Sequence, residues 1–194
     1  MKVIFDCFFS IIGLIIFAPF LLLIAISIKL TSKGPIFYIQ ERVGKDGRIF
    51  KMIKFRTMYV HQQFNSVVSV KGDVRVTSIG VVLRKYKLDE FPELINVLLG
   101  DMSLVGPRPD VPGYADKLVG KDRCILKLRP GITGPASLKY SNEEELLSQQ
   151  IDPISYNDNV IYPDKVRINL DYCNNRSIWL DIKIIFATIF RIYN

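Results

Sequence analysis

The sequence predicts a mainly helical α+β fold with an N-terminal membrane helix, a small β-hairpin and a C-terminal amphipathic interfacial helix. Three observations carry that expectation. Residues 3–30 are almost wholly apolar, residues 36–58 alternate around a Gly-Lys-Asp-Gly turn, and the rest holds apolar residues mainly at helical spacing. With 194 residues the chain is near the size of one domain. The division expected is a membrane helix over residues 1–33 and a membrane-associated domain over residues 34–194.

In the first segment Asp6 is the one charge before Lys29, and the run is long enough to span a bilayer. It is too long for the core of a signal peptide, and no small-residue cleavage site follows it. Pro19 lies near its middle, where a missing donor and a clash with the preceding turn favour a kink. Lysines flank both ends, Lys2 on one side and Lys29 and Lys33 on the other, so charge sets no direction across the membrane. These facts suit a re-entrant helix with both ends on the cytoplasmic face, and they suit a kinked spanning helix equally well.

The hairpin around Gly44 and Gly47 would project Arg42, Lys54 and Arg56 from neighbouring strands. Residues 61–73, with the only histidine, His61, read as a polar loop able to cover a substrate. A short helix is expected over residues 79–86. In the next, Leu88, Phe91, Leu94, Ile95 and Leu98 mark one face and Gly100 the stop. Residues 129–134 form a turn-rich loop, and Glu143, Glu144 and Glu145 a solvated helix start favoured by the dipole. At the far end Ile178, Trp179, Ile182, Ile185, Phe186, Ile189 and Phe190 make an apolar stripe, with Asp181, Lys183 and Arg191 off it. A terminal helix packed on the core would show the same period.

Composition narrows the chemistry. The 26 Lys+Arg against 19 Asp+Glu give a net charge of +7, compatible with anionic lipid, phosphate-bearing substrates or nucleic acid. No nucleic-acid recognition module accompanies the basic residues. Cys7, Cys124 and Cys173 are odd in number and far apart in sequence, which suggests neither a disulfide framework nor a Cys-x-x-Cys metal site and fits a reducing, cytoplasm-facing domain. With one histidine, carboxylates must carry most acid, base or nucleophile roles.

The densest constellation is LDEFPELINVLLGDMSLVGPRPD, residues 88–110. Asp89 sits where a helix cap is expected, and capping alone would explain it. Glu90 is harder to explain so, because adjacent carboxylates repel unless a cation or a charged substrate joins them. Arg84 precedes the pair. Arg108, stiffened between Pro107 and Pro109, offers a fork suited to a phosphate oxygen. A membrane-bound phosphoryl-transfer enzyme is the reading these residues favour. A non-enzymatic membrane adaptor, binding anionic lipid or an acidic partner, explains the charge and the apolar ends but not this cluster.

Four stretches, QERVGKDGRIFKMIKFRTM, LRKYKLDEFPELINVLLGDMSLVGPRP, LRPGITG and SIWLDIKII, together resemble the bacterial sugar transferases, the monotopic polyprenol-phosphate phosphoglycosyl transferases. The resemblance spans nearly the whole chain. It implies a re-entrant helix broken at Pro19, a domain on the cytoplasmic face of the bacterial inner membrane, and an active site at the membrane surface. Asp89 would attack the β-phosphate of a UDP-sugar and release UMP, Glu90 with Asp89 would hold Mg²⁺, and polyprenol (undecaprenyl) phosphate would take the phosphosugar. Arg84 and Arg108 would stabilise the transferring phosphate, with Lys54 and Arg56 as further phosphate or nucleotide contacts. The product would start a glycoconjugate such as a capsule, exopolysaccharide, O-antigen or glycoprotein glycan. An N-acetylated amino sugar and a neutral hexose both fit as donor, and a homodimer is compatible with the sequence. After Gly134 this chain departs from the Trp-Ala-Gln of many relatives, with Pro135, Ala136 and Ser137 in its place.

Overall fold

The computed structural model describes residues 1–60 and 73–190. The polar loop with His61 lies outside them, apart from Asp73, as do Arg191 and the last residues. Helix α1 (Lys2–Thr31) is followed by the antiparallel strands β1 (Phe37–Val43) and β2 (Ile49–Phe55). Helices α2 (Ser78–Lys85) and α3 (Glu93–Leu99) come next, with strands β3 (Ser103–Val105) and β4 (Gly131–Thr133) pairing in parallel. Short helices α4 (Pro135–Lys139), α5 (Glu143–Ser148) and α6 (Pro153–Tyr156) lead through a wide turn, Asn157–Ile161, into α7 (Tyr162–Asn175) and α8 (Ile178–Ile189). The mainly helical architecture with one small hairpin agrees with the sequence, whereas the expected turn-rich loop contains β4, which pairs with β3.

The hairpin turns through Lys45–Gly47, where Asp46 and Gly47 take φ of 58° and 80°, the left-handed region that a tight reversal needs. Helix α3 stops at Gly100 with φ of 88°, as its glycine predicts. Its buried face differs from the expected one: Glu93, Asn96 and Val97 are buried, while Leu98 is exposed. Asn96 explains its own burial. Its side chain accepts from the Ile53 N–H at 3.0 Å and donates to the Lys51 carbonyl at 2.8 Å, completing the open edge of β2.

Helix α1 is fastened to the rest of the chain at both ends. Near its start the Lys2 ammonium meets Asp181 of α8 at 2.5 Å, and the Ser103 hydroxyl of β3 donates to buried Asp6 at 2.8 Å. Midway, Phe17 lies edge-on to Phe91 with ring centroids 5.1 Å apart. At its end Ile24 and Ile28 pack with Phe55 and Leu83. Its outward residues, among them Ile4, Phe8, Ile15 and Leu22, are exposed. Helical backbone continues through Pro19, so the break expected there is not an interruption of the helix. Along α8, Asp181 is buried, while Trp179, Phe186 and Ile189 are exposed. The residue expected off the apolar stripe is therefore the one held against the domain, by Lys2 and by the Tyr172 hydroxyl at 2.5 Å. The thiols of Cys124 and Cys173, far apart in sequence, lie 3.0 Å from each other.

Two glycine-bearing turns meet backbone to backbone. A Cβ on Gly131 would stand 2.1 Å from the Gly106 nitrogen, and one on Gly134 would stand 2.2 Å from the Gly106 carbonyl oxygen. No side chain fits this seam, which fixes the turn carrying Arg108. Gly131→Ala is expected to destabilise the chain by roughly 1–3 kcal/mol, as overpacking against backbone does. A thermal melt should show it as a fall of about 2–4 °C per kcal/mol.

Candidate active site

Between α2 and α3 the chain makes one tight helical turn, Leu88–Glu90, entered through Lys87 at φ of 57°. A lysine in the left-handed region is uncommon, and such strain gathers at functional sites. The turn sets Asp89 and Glu90 in different surroundings. Asp89 is not the helix cap its position suggested, since it lies inside the turn and its side chain makes no capping bond.

Glu90 is buried and doubly paired. Its Oε1 accepts from Arg108 Nη2 at 2.6 Å and from Lys54 Nζ at 2.9 Å. Burial works to raise this carboxyl, but Arg108 and then Lys54 overcome it and hold it well below the usual range. Lys54, on β2, also reaches Glu93 at 3.2 Å. Burial pushes Glu93 up to about 7 against the pull of Lys54. Asp89 is raised too, first by burial and then by the charge of Glu90, and its Oδ1 is buried without a hydrogen-bond partner among the described residues. Two neighbouring carboxylates thus differ in character: one fixed as an anion, the other pushed toward its protonated form.

A cavity of about 1280 Å³ opens over this cluster. Its polar lining includes Arg42, Lys87, Glu90, Arg108 and Asp110. Its apolar lining includes Phe5, Phe9 and Phe17 of α1, Phe91 next to Glu90, and Phe186 of α8. Glu90 lines the cavity and Asp89 does not. Pro107 and Pro109 are buried while Arg108 between them is exposed, so the turn anchors itself and leaves the guanidinium projecting. Its ion-pair partner is Glu90.

The other expected site residues divide. Lys54 joins the cluster through the two glutamates. Arg84 donates from Nε to the Thr57 hydroxyl at 3.1 Å and has Nη1 3.6 Å from Glu144, and it does not line the cavity. Arg56 is the clearest departure. It is buried, and its guanidinium donates to the Ser32 carbonyl and hydroxyl and to the Lys33 carbonyl, closing the end of α1 instead of facing a phosphate. The acidic triplet is also not uniformly solvated, because Glu143 lines the cavity and holds Lys165 at 2.7 Å. Lys87, Arg42 and Asp110 escaped the sequence reading as site residues, although Lys87 and Asp110 lie within stretches that it used.

Among the described residues no group of three or more His, Cys, Asp or Glu side chains could hold a metal ion. Mg²⁺ commonly takes one or two carboxylates and completes its shell with water and substrate phosphates. The unpartnered Asp89 oxygen beside Glu90 suits that partial donor set.

The whole chain, residues 1–194, matches the family model described as Bacterial sugar transferase. The chain belongs to the bacterial sugar transferase family. Among the relatives of this family member is a UDP-glucose:undecaprenyl-phosphate glucose-1-phosphate transferase of Klebsiella pneumoniae, 39% identical over 191 residues, covering 96% of this chain and 38% of the relative. A UDP-N-acetylgalactosamine-undecaprenyl-phosphate N-acetylgalactosaminephosphotransferase of Aeromonas hydrophila is 36% identical over 188 residues, covering 95% of this chain and 41% of the relative. The exopolysaccharide production protein ExoY of Rhizobium meliloti (strain 1021) is 32% identical over 201 residues, covering 95% and 82%. The chain spans about two fifths of the length of the first two.

In this family member, Glu93 and Asp110 tie stability to pH. Burial raises their folded values to about 7 and about 6, against ordinary values of 4.5 and 3.8. A raised carboxyl favours the fold below its ordinary value, and the contribution is lost as pH rises through the folded value. The melting temperature should therefore fall between about pH 4 and pH 7, and Glu93→Gln should flatten the upper part of that fall. An unchanged slope in the variant would remove Glu93 from the account.

Proposed function

We propose that the chain moves a sugar-1-phosphate from a UDP-sugar to polyprenol phosphate, with undecaprenyl phosphate as the acceptor, and releases UMP. The single observation that carries this reading is the mixed lining of the cavity. Its basic residues Arg42, Lys87 and Arg108 suit the diphosphate of a water-soluble donor. The aromatic residues of α1 that line it suit the prenyl chain of a lipid acceptor. The activities for which the Klebsiella and Aeromonas relatives are named point the same way, and their different sugars leave the donor at the level of a UDP-sugar.

In the first step an oxygen of ionised Asp89 attacks the β-phosphorus. The bond from that phosphorus to the bridging oxygen breaks, and UMP leaves with the electron pair. Because Asp89 does not line the cavity, its side chain must turn toward the donor, and the charges of Lys54, Lys87 and Arg84 favour its ionised form. In the second step a phosphate oxygen of the acceptor attacks the same phosphorus, the bond to Asp89 breaks, and the carboxylate is restored. The two-step route lets the soluble product leave before the lipid reacts. Arg108, held by Glu90, supplies fixed positive charge beside the transferring group. Mg²⁺, when bound, neutralises diphosphate charge, and Glu90 with Asp89 would hold it.

The same reading places α1 as a re-entrant helix in the bacterial inner membrane, with the domain on the cytoplasmic face. Support comes from the contacts at Lys2, Asp6 and Ser32, which tie both ends of the helix to one body. A cysteine added before Lys2 should then be labelled by an impermeant reagent only from the side that exposes the domain. Labelling from the opposite side would replace re-entry with a span.

UMP release from a panel of UDP-sugars, in detergent with Mg²⁺ and with or without undecaprenyl phosphate, tests the reaction. UMP with one donor supports it. UDP in place of UMP would mean attack at the sugar carbon and would overturn it.

A further inference from the structure

Beside the first turns of α1 a second hollow of about 180 Å³ opens. Five cations line it, brought from four places in the chain: Lys2 from α1, Lys45 from the hairpin turn, Lys127 and Arg129 from the segment before β4, and Arg176 after α7. Asp6 is the one acid among its lining residues. Lys2 is already committed to Asp181, and Asp6 takes the Ser103 hydroxyl. Among the described residues, Lys45, Lys127, Arg129 and Arg176 have no ion-pair partner. Like charges converging on one concavity raise its potential and concentrate an anion there.

Position narrows the anion. The hollow includes Val3 of the first turn of α1, 48% exposed, and the outward apolar face of the helix, with Ile4 and Phe8, begins on the far side of the same turn. With that face in a bilayer, the cations stand at headgroup depth and the hydrocarbon begins beside them. A phosphate that carries acyl chains fits both halves of this arrangement, whereas a free phosphate uses only the basic half. We propose that this hollow binds the phosphodiester headgroup of an anionic phospholipid, with an acyl chain starting along Val3. The lipid pins the start of α1 at the membrane surface. The proposal rests on α1 lying in a membrane and is independent of the transfer chemistry.

Native mass spectrometry of the full chain in detergent, titrated with dioleoyl-phosphatidylglycerol or dioleoyl-phosphatidylcholine, tests it. One phosphatidylglycerol should be retained under activation that strips phosphatidylcholine. Each basic residue near an anionic surface contributes about fivefold, so Lys127→Gln with Arg176→Gln should weaken retention by about 25-fold. Neither residue lines the catalytic cavity, so the thermal melt and UMP release should stay as in the parent chain. Equal retention of the two lipids, or undiminished retention of phosphatidylglycerol in the double variant, would overturn the proposal. Displacement of the lipid by millimolar inorganic phosphate would also overturn it, by assigning the hollow to a soluble anion.

Discussion

Asp89→Asn is expected to abolish the covalent phosphosugar adduct and to lower UMP release by on the order of 10⁴-fold or more, as loss of a nucleophile does. The substitution keeps the size of the side chain and removes a carboxyl that burial and Glu90 both disfavour in its charged form. The fold should therefore hold, with a melting temperature equal to or above that of the parent. Intact mass after incubation with a UDP-sugar reads the adduct directly. The comparison that gives the experiment its force is Glu90→Gln, because Glu90 is the carboxylate that lines the cavity. If Glu90→Gln lost the adduct and Asp89→Asn kept it, the roles of the two residues would be exchanged. If both variants were loaded, covalent catalysis by this pair would be wrong.

Arg108→Ala should lower kcat by on the order of 10²–10³-fold, the range seen when one fixed donor to a developing charge is removed. Arg108→Lys should recover little of it. A lysine cannot hold Glu90 with one nitrogen and present a second, rigidly directed donor to the phosphate. A second readout separates this role from a merely structural one. Without Arg108 the buried Glu90 keeps only Lys54 as a close partner, so its carboxyl should rise and the acid limb of the pH–rate profile should move upward. The stability loss should be smaller, about 1 kcal/mol, because the guanidinium is partly in solvent. An Arg108→Lys enzyme of parental activity with an unmoved profile would reduce Arg108 to a surface charge.

Much of the site could be read along the chain because its parts are local. The hairpin turn, the stop at Gly100 and the stiffened Pro107-Arg108-Pro109 turn are each set by glycine or proline within a few residues. What escaped the reading depends on partners distant in sequence. Glu93 and Asn96 are buried on a helix whose leucines suggested a different inner face, because Lys54 and the β2 edge hold them there. Arg56 resembled a phosphate ligand from its motif, yet the carbonyls at the end of α1 claim it. Lys2 and Asp181 pair across 179 residues, and no local period records that. Cys124 and Cys173 meet for the same reason.

The double fastening of α1 has a mechanical meaning. A free membrane helix absorbs a change in bilayer thickness by tilting. A helix pinned near Lys2 and again at Ser32 cannot tilt as a whole, so it must bow. The middle of the bow falls between Gly13, whose added Cβ would touch Leu94 at 3.4 Å, and Phe17, which already touches Phe91 one residue after the dyad. On the proposed membrane seating, such a bow would be felt first at Phe91, the residue after Glu90.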